Sequence, residues 1–320
     1  MLNIPEPFEQ EVRSYLPEGK KILLMGVGGG FDILSCLPLY HTLRMKGFNL
    51  ELANFSMVKF DLLHELTDPI ILSNNVYGAT STIKAATEHY PEGYLSAWFK
   101  EGFEEDVTVW MLQQQSVPDM VDSLKLMIEK LDIGLIILCG AGSKSIMTGE
   151  EEGCGEIFFP SIVLAAIRYL ENTRSLLFVM GVNTSGGRKA ESMLNAMEGV
   201  QALIMADAYY GGCTMDKRMD CFKYYKSAYE YIVDQQHHQK SPIHEMIITA
   251  IYGGFGPHKE YGGFICPELY QGHFFDAVLV SNYNILIPHI ETIPEYDELL
   301  QRGLGIANGG NKRPREVIPA

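Results

Sequence analysis

The sequence predicts an α/β protein with a doubly wound, mostly parallel, Rossmann-like sheet carrying helices on both faces. Three observations lead there. Short continuous apolar runs, Ile22–Met25, Gly134–Cys139 and Ser175–Val182, read as strands covered on both faces. Segments of helical period, about 10–15 residues long, alternate with them, the pattern of βαβ units. Glycine-rich or hydroxyl-rich loops follow the runs: Gly26–Asp32, Gly140–Ser145 and Asn183–Arg188.

Taken in order, residues 1–19 are a polar lead-in with Pro5, Pro7 and Pro17. The first strand, Ile22–Met25, passes through glycines into a helix expected over Asp32–Lys46, with Gly47 at its C′ position. Leu50–Ser56 is the second strand. Lys59–Leu66 reads as a helical turn, and Ser73–Asn75 and Gly78–Ser81 as loop. Pro91–Phe99 reads as an amphipathic helix. Val107–Leu112 is the third strand, and Pro118–Asp132 a helix with apolar positions at helical spacing. Gly134–Cys139 is the fourth strand. The acidic loop Gly149–Glu156 precedes a helix over Pro160–Glu171 and the fifth strand, Ser175–Val182. A helix over Ala190–Glu198 and a short strand over Ala202–Met205 follow. After Gly211-Gly212 the character changes to a long aromatic helix, Met215–Gln236, and a second helix through Ile251. Gly253–Gly263 is loop, Asp276–Ser281 a late strand, and the tail from Gly303 polar. The reading is one α/β domain over residues 1–320, with a helical subregion over 213–260 inserted or packed at one edge.

Composition narrows the function classes. The net charge of −15 argues against a nucleic-acid backbone or an anionic membrane surface as the main partner. The six cysteines are scattered without C-x-x-C and read as reduced core thiols. The first fifteen residues lack a basic and then apolar leader, and no apolar run is long enough to cross a bilayer, so a cytoplasmic protein is expected.

In an open α/β sheet ligands bind outside the carboxyl ends of the strands. Four segments should converge there, the fourth being Asn54-Phe55-Ser56. Gly28, Gly29 and Gly30 allow a ligand close to the backbone, and the following helix would turn its first N–H groups toward an anion. Gly26 and Gly28 fit G-x-G-x-x-G, but Phe31 stands at the third position and is too large for the close helix–strand packing made there. The alternative is a tight structural turn with Asp32 as a cap. Gly142, Ser143, Lys144 and Ser145 suggest an anion nest, against the alternative of an ordinary loop with a solvated lysine. Asn183, Ser185 and Arg188 offer further donors, and Glu151 in its acidic run a general base. No G-K-[ST], G-x-S-x-G or H-E-x-x-H occurs, so a Walker A loop, a hydrolase elbow and a zinc helix have no anchor. No metal site is expected and no cofactor is indicated.

Four stretches resemble the family catalogued as domain of unknown function 1152: Gly26–Ile33, Leu52–Ser56, Pro91–Leu95 and Ile146–Glu151. The resemblance implies a cytosolic α/β protein and no particular reaction. The family's loop before Gly149 is acidic around a glycine pair, where this chain has Gly140 and Lys144. That departure implies a pocket shifted from negative toward positive, hence a more anionic ligand or loss of the ancestral activity.

The expected function is binding of a small anionic metabolite or nucleotide at the strand ends by an oligomeric protein. In the enzymatic form Asp32 or Glu151 is acid/base and Lys144 an electrostatic stabiliser. The alternatives are a non-catalytic binding or regulatory protein with a degenerate site, and an S-adenosylmethionine-dependent methyltransferase, a reading that strand order tests.

Overall fold

The computed structural model describes residues 1–85, 89–142, 146, 158–170, 172–182, 184–185, 200–201, 203–205, 207–254, 256–257, 264–265 and 275–280. Twelve strands occur among them. In chain order they are β1 (Lys21–Gly26), β2 (Leu50–Phe55), β3 (Ile70–Ser73), β4 (Val76–Ala79), β5 (Val109–Leu112) and β6 (Ile133–Ala141). There follow β7 (Arg174–Met180), β8 (Thr184–Ser185), β9 (Tyr209–Met215), β10 (Gly256–Pro257), β11 (Phe264–Ile265) and β12 (Phe275–Val280). The main sheet has nine strands in the order β3-β4-β5-β2-β1-β6-β7-β12-β9. Its core, β5-β2-β1-β6-β7, is parallel throughout. Both edges are antiparallel: β4 on β5 and β3 on β4 at one side, β12 between β7 and β9 at the other. The short strands β10, β11 and β8 form a second sheet.

The helices are α1 (Glu6–Tyr15), α2 (Leu37–Met45), α3 (Leu63–Leu66), α4 (Pro91–Phe103), α5 (Val117–Leu131), α6 (Phe158–Ile167), α7 (Asp220–Gln235) and α8 (Pro242–Ile251). They cover both faces. On β1, Ile22 and Leu24 enter one core with α1, α2, α4, α7 and α8, while Leu23 and Met25 enter the other with α5 and α6. Successive strand residues point to opposite faces, so an apolar run at every position is what two covers require. No helix among the described residues is long and apolar enough to cross a membrane.

Several expectations need correction. The helix expected over Asp32–Lys46 is a 3₁₀ turn over Gly30–Cys36 that passes into α2, with Pro38 in the first turn of the α-helix. Pro38 has no N–H to bond backward, which suits an α-helix start and not an interior. Of the stretches taken as loop, Ser73 belongs to β3 and Gly78 and Ala79 to β4, so a β3–β4 hairpin runs over residues 70–79. Edge pairing against β5 supplies the order that its two four-residue strands are too short to announce. The helix Pro91–Phe99 is not amphipathic: every residue from Pro91 to Phe99 is buried, because α4 lies among the sheet, the 3₁₀ turn and α7. The strand expected over Ala202–Met205 is helical at 203–205, with Ile204 and Met205 exposed. The helix expected from Met215 begins at Asp220, and the glycine pair read as a change of character lies inside β9. The helix expected over Ala190–Glu198 and the tail from Gly303 lie outside the described residues.

The topology makes a graded prediction. Leu24→Ala, in the central strand and fully buried, should cost about 3 kcal/mol in a urea melt. Ile71→Ala, on the exposed edge strand, should stay within about 0.5 kcal/mol of the parent. Equal losses would contradict the strand order.

Candidate functional site at the strand ends

After β1 the chain moves to β2 and β5 on one side of the sheet, then crosses to β6 and β7 on the other. The carboxyl ends of β1 and β6 therefore flank the point where the strand order reverses, the place where such sheets leave a crevice. The glycine loop stands at the end of β1. Gly29 and Gly30 have φ of 81° and 54°. A Cβ on Gly26 would lie 2.5 Å from Asn54 Oδ1 and 2.7 Å from the Asp32–Ile33 backbone. Gly26, and not the third fingerprint position, permits the close approach of the turn to the sheet. Phe31 is turned aside, its ring 5.8 Å from His89 and 6.1 Å from Tyr229.

Asp32 folds back over the loop. Its Oδ2 accepts the Gly28 N–H at 2.7 Å, so the loop carries a built-in carboxylate. This modifies the expectation that the loop and the following helix would welcome an anion: one donor is already committed, and a second anion there would be repelled. Asn54 and Ser56 are buried and face inward. The Asn54 amide donates to the Gly30 carbonyl at 2.8 Å and to Glu92 Oε1 at 2.7 Å. Ser56 Oγ accepts the Val58 N–H at 3.2 Å. Asn54 thus acts on the loop from below. Gly142, at φ 77°, ends β6 with its N–H on the Met180 carbonyl, and a Cβ there would meet Ile243 Cδ1 of α8 at 2.7 Å. Ser143, Lys144, Ser145, Glu151, Asn183 and Arg188 lie outside the described residues. Of Ser185 only the backbone, in β8, is described.

Two residues at this place escaped the sequence reading. Glu92, in the first turn of α4, has no solvent exposure, and burial pushes its carboxyl up from the usual range. The signal was a lone acid in the otherwise apolar run from Tyr90 to Leu95. His89 packs its Nε2 against Gly30, where a Cβ would come within 2.7 Å, and burial lowers its pKa. His244 of α8 is also buried. Its Nδ1 lies 2.8 Å from the Tyr225 hydroxyl, and burial pushes its pKa down to about 3. Cys36 and Cys139 are free and buried. No group of three His, Cys, Asp or Glu side chains among the described residues could hold a metal ion.

Comparisons with protein families, curated proteins and solved structures return no match. The likeness to domain of unknown function 1152 thus stands on its four quoted stretches alone.

Glu92 sets a pH dependence with a definite sign. Its folded pKa is raised above the unfolded 4.5, so its stabilising contribution is complete below that value and declines as pH climbs toward the folded pKa. Glu92→Gln keeps an acceptor for Asn54 and cannot ionise. Its melting temperature should fall less than the parent's between pH 4 and pH 8. Parallel profiles would show that Glu92 ionises freely.

Proposed function

We propose that this protein binds a small metabolite or nucleotide in the crevice between the ends of β1 and β6. The observation that carries the reading is the glycine loop itself. Its backbone bends through two left-handed residues at the reversal of strand order, and it holds a carboxylate at its rim. The Asp32 carboxylate favours ligand groups that donate hydrogen bonds or carry positive charge at the loop. The anionic part of such a ligand then lies beyond Asp32. In the enzymatic version Asp32 is the acid or base, since it touches the position a ligand would take. In the non-catalytic version the same contacts bind and report a ligand.

A second reading, a methyltransferase using S-adenosylmethionine, draws on one observation: a carboxylate at the loop complements a sulfonium cation. The family resemblance adds no reaction to either reading.

A thermal-shift screen tests both. The probes are nicotinamide and adenine nucleotides, S-adenosylmethionine, phosphorylated metabolites and amino acids. A ligand at about 100 times its dissociation constant should add about 2.7 kcal/mol. The shift should vanish in Gly28→Ala, where the new Cβ would sit 2.1 Å from Asp32 Oδ2 and displace the carboxylate. A silent screen sinks the small-molecule reading. A shift that survives Gly28→Ala moves the site elsewhere.

A further inference from the structure

Among the described residues seven buried side-chain polar atoms lack a hydrogen-bond partner. Two of them belong to one bonded pair: Asn54 Oδ1 and Glu92 Oε2. The others are His89 Nε2, Gln236 Nε2, His244 Nε2, the Tyr90 hydroxyl and His41 Nδ1. The pair differs from these because it holds the glycine loop. The Asn54 amide donates to the Gly30 carbonyl at 2.8 Å and to Glu92 Oε1 at 2.7 Å. Neither Asn54 nor Glu92 has any solvent exposure.

While Glu92 is ionised, both unpaired atoms can only accept. A proton on Glu92 changes the count. Its O–H is then a donor, on a group already bonded to the amide whose Oδ1 lacks one. The neutral acid therefore fits this place, and burial favours that form. An anion fits badly, because its second oxygen stays buried without a donor. The Ser56 hydroxyl favours the anion but leaves Oε2 unpaired in this structure. An ionised Glu92 thus competes with the Gly30 carbonyl for the Asn54 amide. Hydrogen bonds to a charged acceptor are roughly twice as strong as those to a neutral one, so the carboxylate takes the N–H that holds the loop.

Among the described residues no cation offsets a charge on Glu92. Its own stretch brings His89, Tyr90 and Tyr94, the 3₁₀ turn brings Asp32 and Cys36, and β4 brings Tyr77. β5 brings no titratable side chain. The charged residues of α7 pair with one another or with His238, and its Tyr229 meets Phe31. Burial lowers the His89 pKa from 6.5, so that imidazole is neutral above this value.

We infer that Glu92 and Asn54 form a proton-controlled latch on the glycine loop: the neutral carboxyl leaves the Asn54 amide on the Gly30 carbonyl, and loss of the proton frees the loop. The proton needs no open channel, since buried groups meet solvent through local openings. The latch goes beyond the small-molecule reading and does not rest on it, because it acts in the ligand-free protein.

The test follows amide hydrogen exchange in the full chain from pH 5 to pH 9, corrected for the chemical rate. The reporters are the Gly28 and Asp32 N–H groups, both bonded within the loop. Their protection should fall as pH rises above 4.5, by up to about tenfold per unit, and level off at the pKa of the latched state. In Glu92→Gln, whose side chain supplies an acceptor and a donor without ionising, loop protection should be flat with pH. Amides of α5, on the opposite face of the sheet, should be flat in both proteins. His89 cannot mimic the signal, since its protonation would open the loop as pH falls. A fall that persists in Glu92→Gln overturns the latch. So does a parent loop equally protected at both ends of the range, or an equal fall in the loop and α5. If the variant does not fold, infrared spectroscopy of the parent decides. The carbonyl stretch of a protonated carboxylic acid should be present at neutral pH and vanish where loop protection levels off. Its absence at neutral pH overturns the latch.

Discussion

The side-chain amide of Asn54 holds the glycine loop by its Gly30 carbonyl and, through its second N–H, holds Glu92 at the head of α4. Three separate segments meet on this one group: the end of β2, the loop after β1 and the start of α4. Its position follows from the sheet, since Asn54 pairs in register with Gly26 on the neighbouring parallel strand. The absence of a side chain on Gly26 lets the amide pass and lets the 3₁₀ turn settle against the strand. Each such buried hydrogen bond contributes about 1 kcal/mol net, and stranding a partner costs about 1–3 kcal/mol. The shape of the loop is thus set from beneath, by groups that do not themselves face solvent.

The loop so fixed is not a generic anion cradle. Asp32 has already taken the Gly28 N–H, and the seven residues from Gly30 wind as a 3₁₀ turn before α2 begins. The α-helix proper therefore starts well away from the crevice, and its dipole acts there only weakly, since that effect fades within the first turn. The balance of charge around the loop comes instead from a rim carboxylate and from buried polar groups whose charged forms burial disfavours. Aromatic packing supports both: Phe31 leans on Tyr229, and Tyr229 on His244, so α7 and α8 share in shaping the same place. In the same first turn α8 meets Gly142 through Ile243, which links the ends of β1 and β6.

By itself the sequence determined the class of fold, the parallel strands and the glycine loop as their meeting point. Those features are local. An unbroken apolar run of strand length, a glycine cluster and a following helical period are each legible within a dozen residues, because burial on two faces and positive φ constrain residue type directly. The antiparallel edges were legible only in part, since β3, β4 and β9 owe their order to a neighbouring strand and not to their own short or glycine-bearing sequences. What only the tertiary structure decided is which polar groups lose water together. Nothing within ten residues of Glu92, Gln236 or His244 says that a strand end, a helix start and a helix end will bury them around one stretch of backbone. Partnering is a property of packing across the chain, so the inward role of Asn54, the committed carboxylate of Asp32 and the unpaired cluster beside them emerge only once the sheet and helices are assembled.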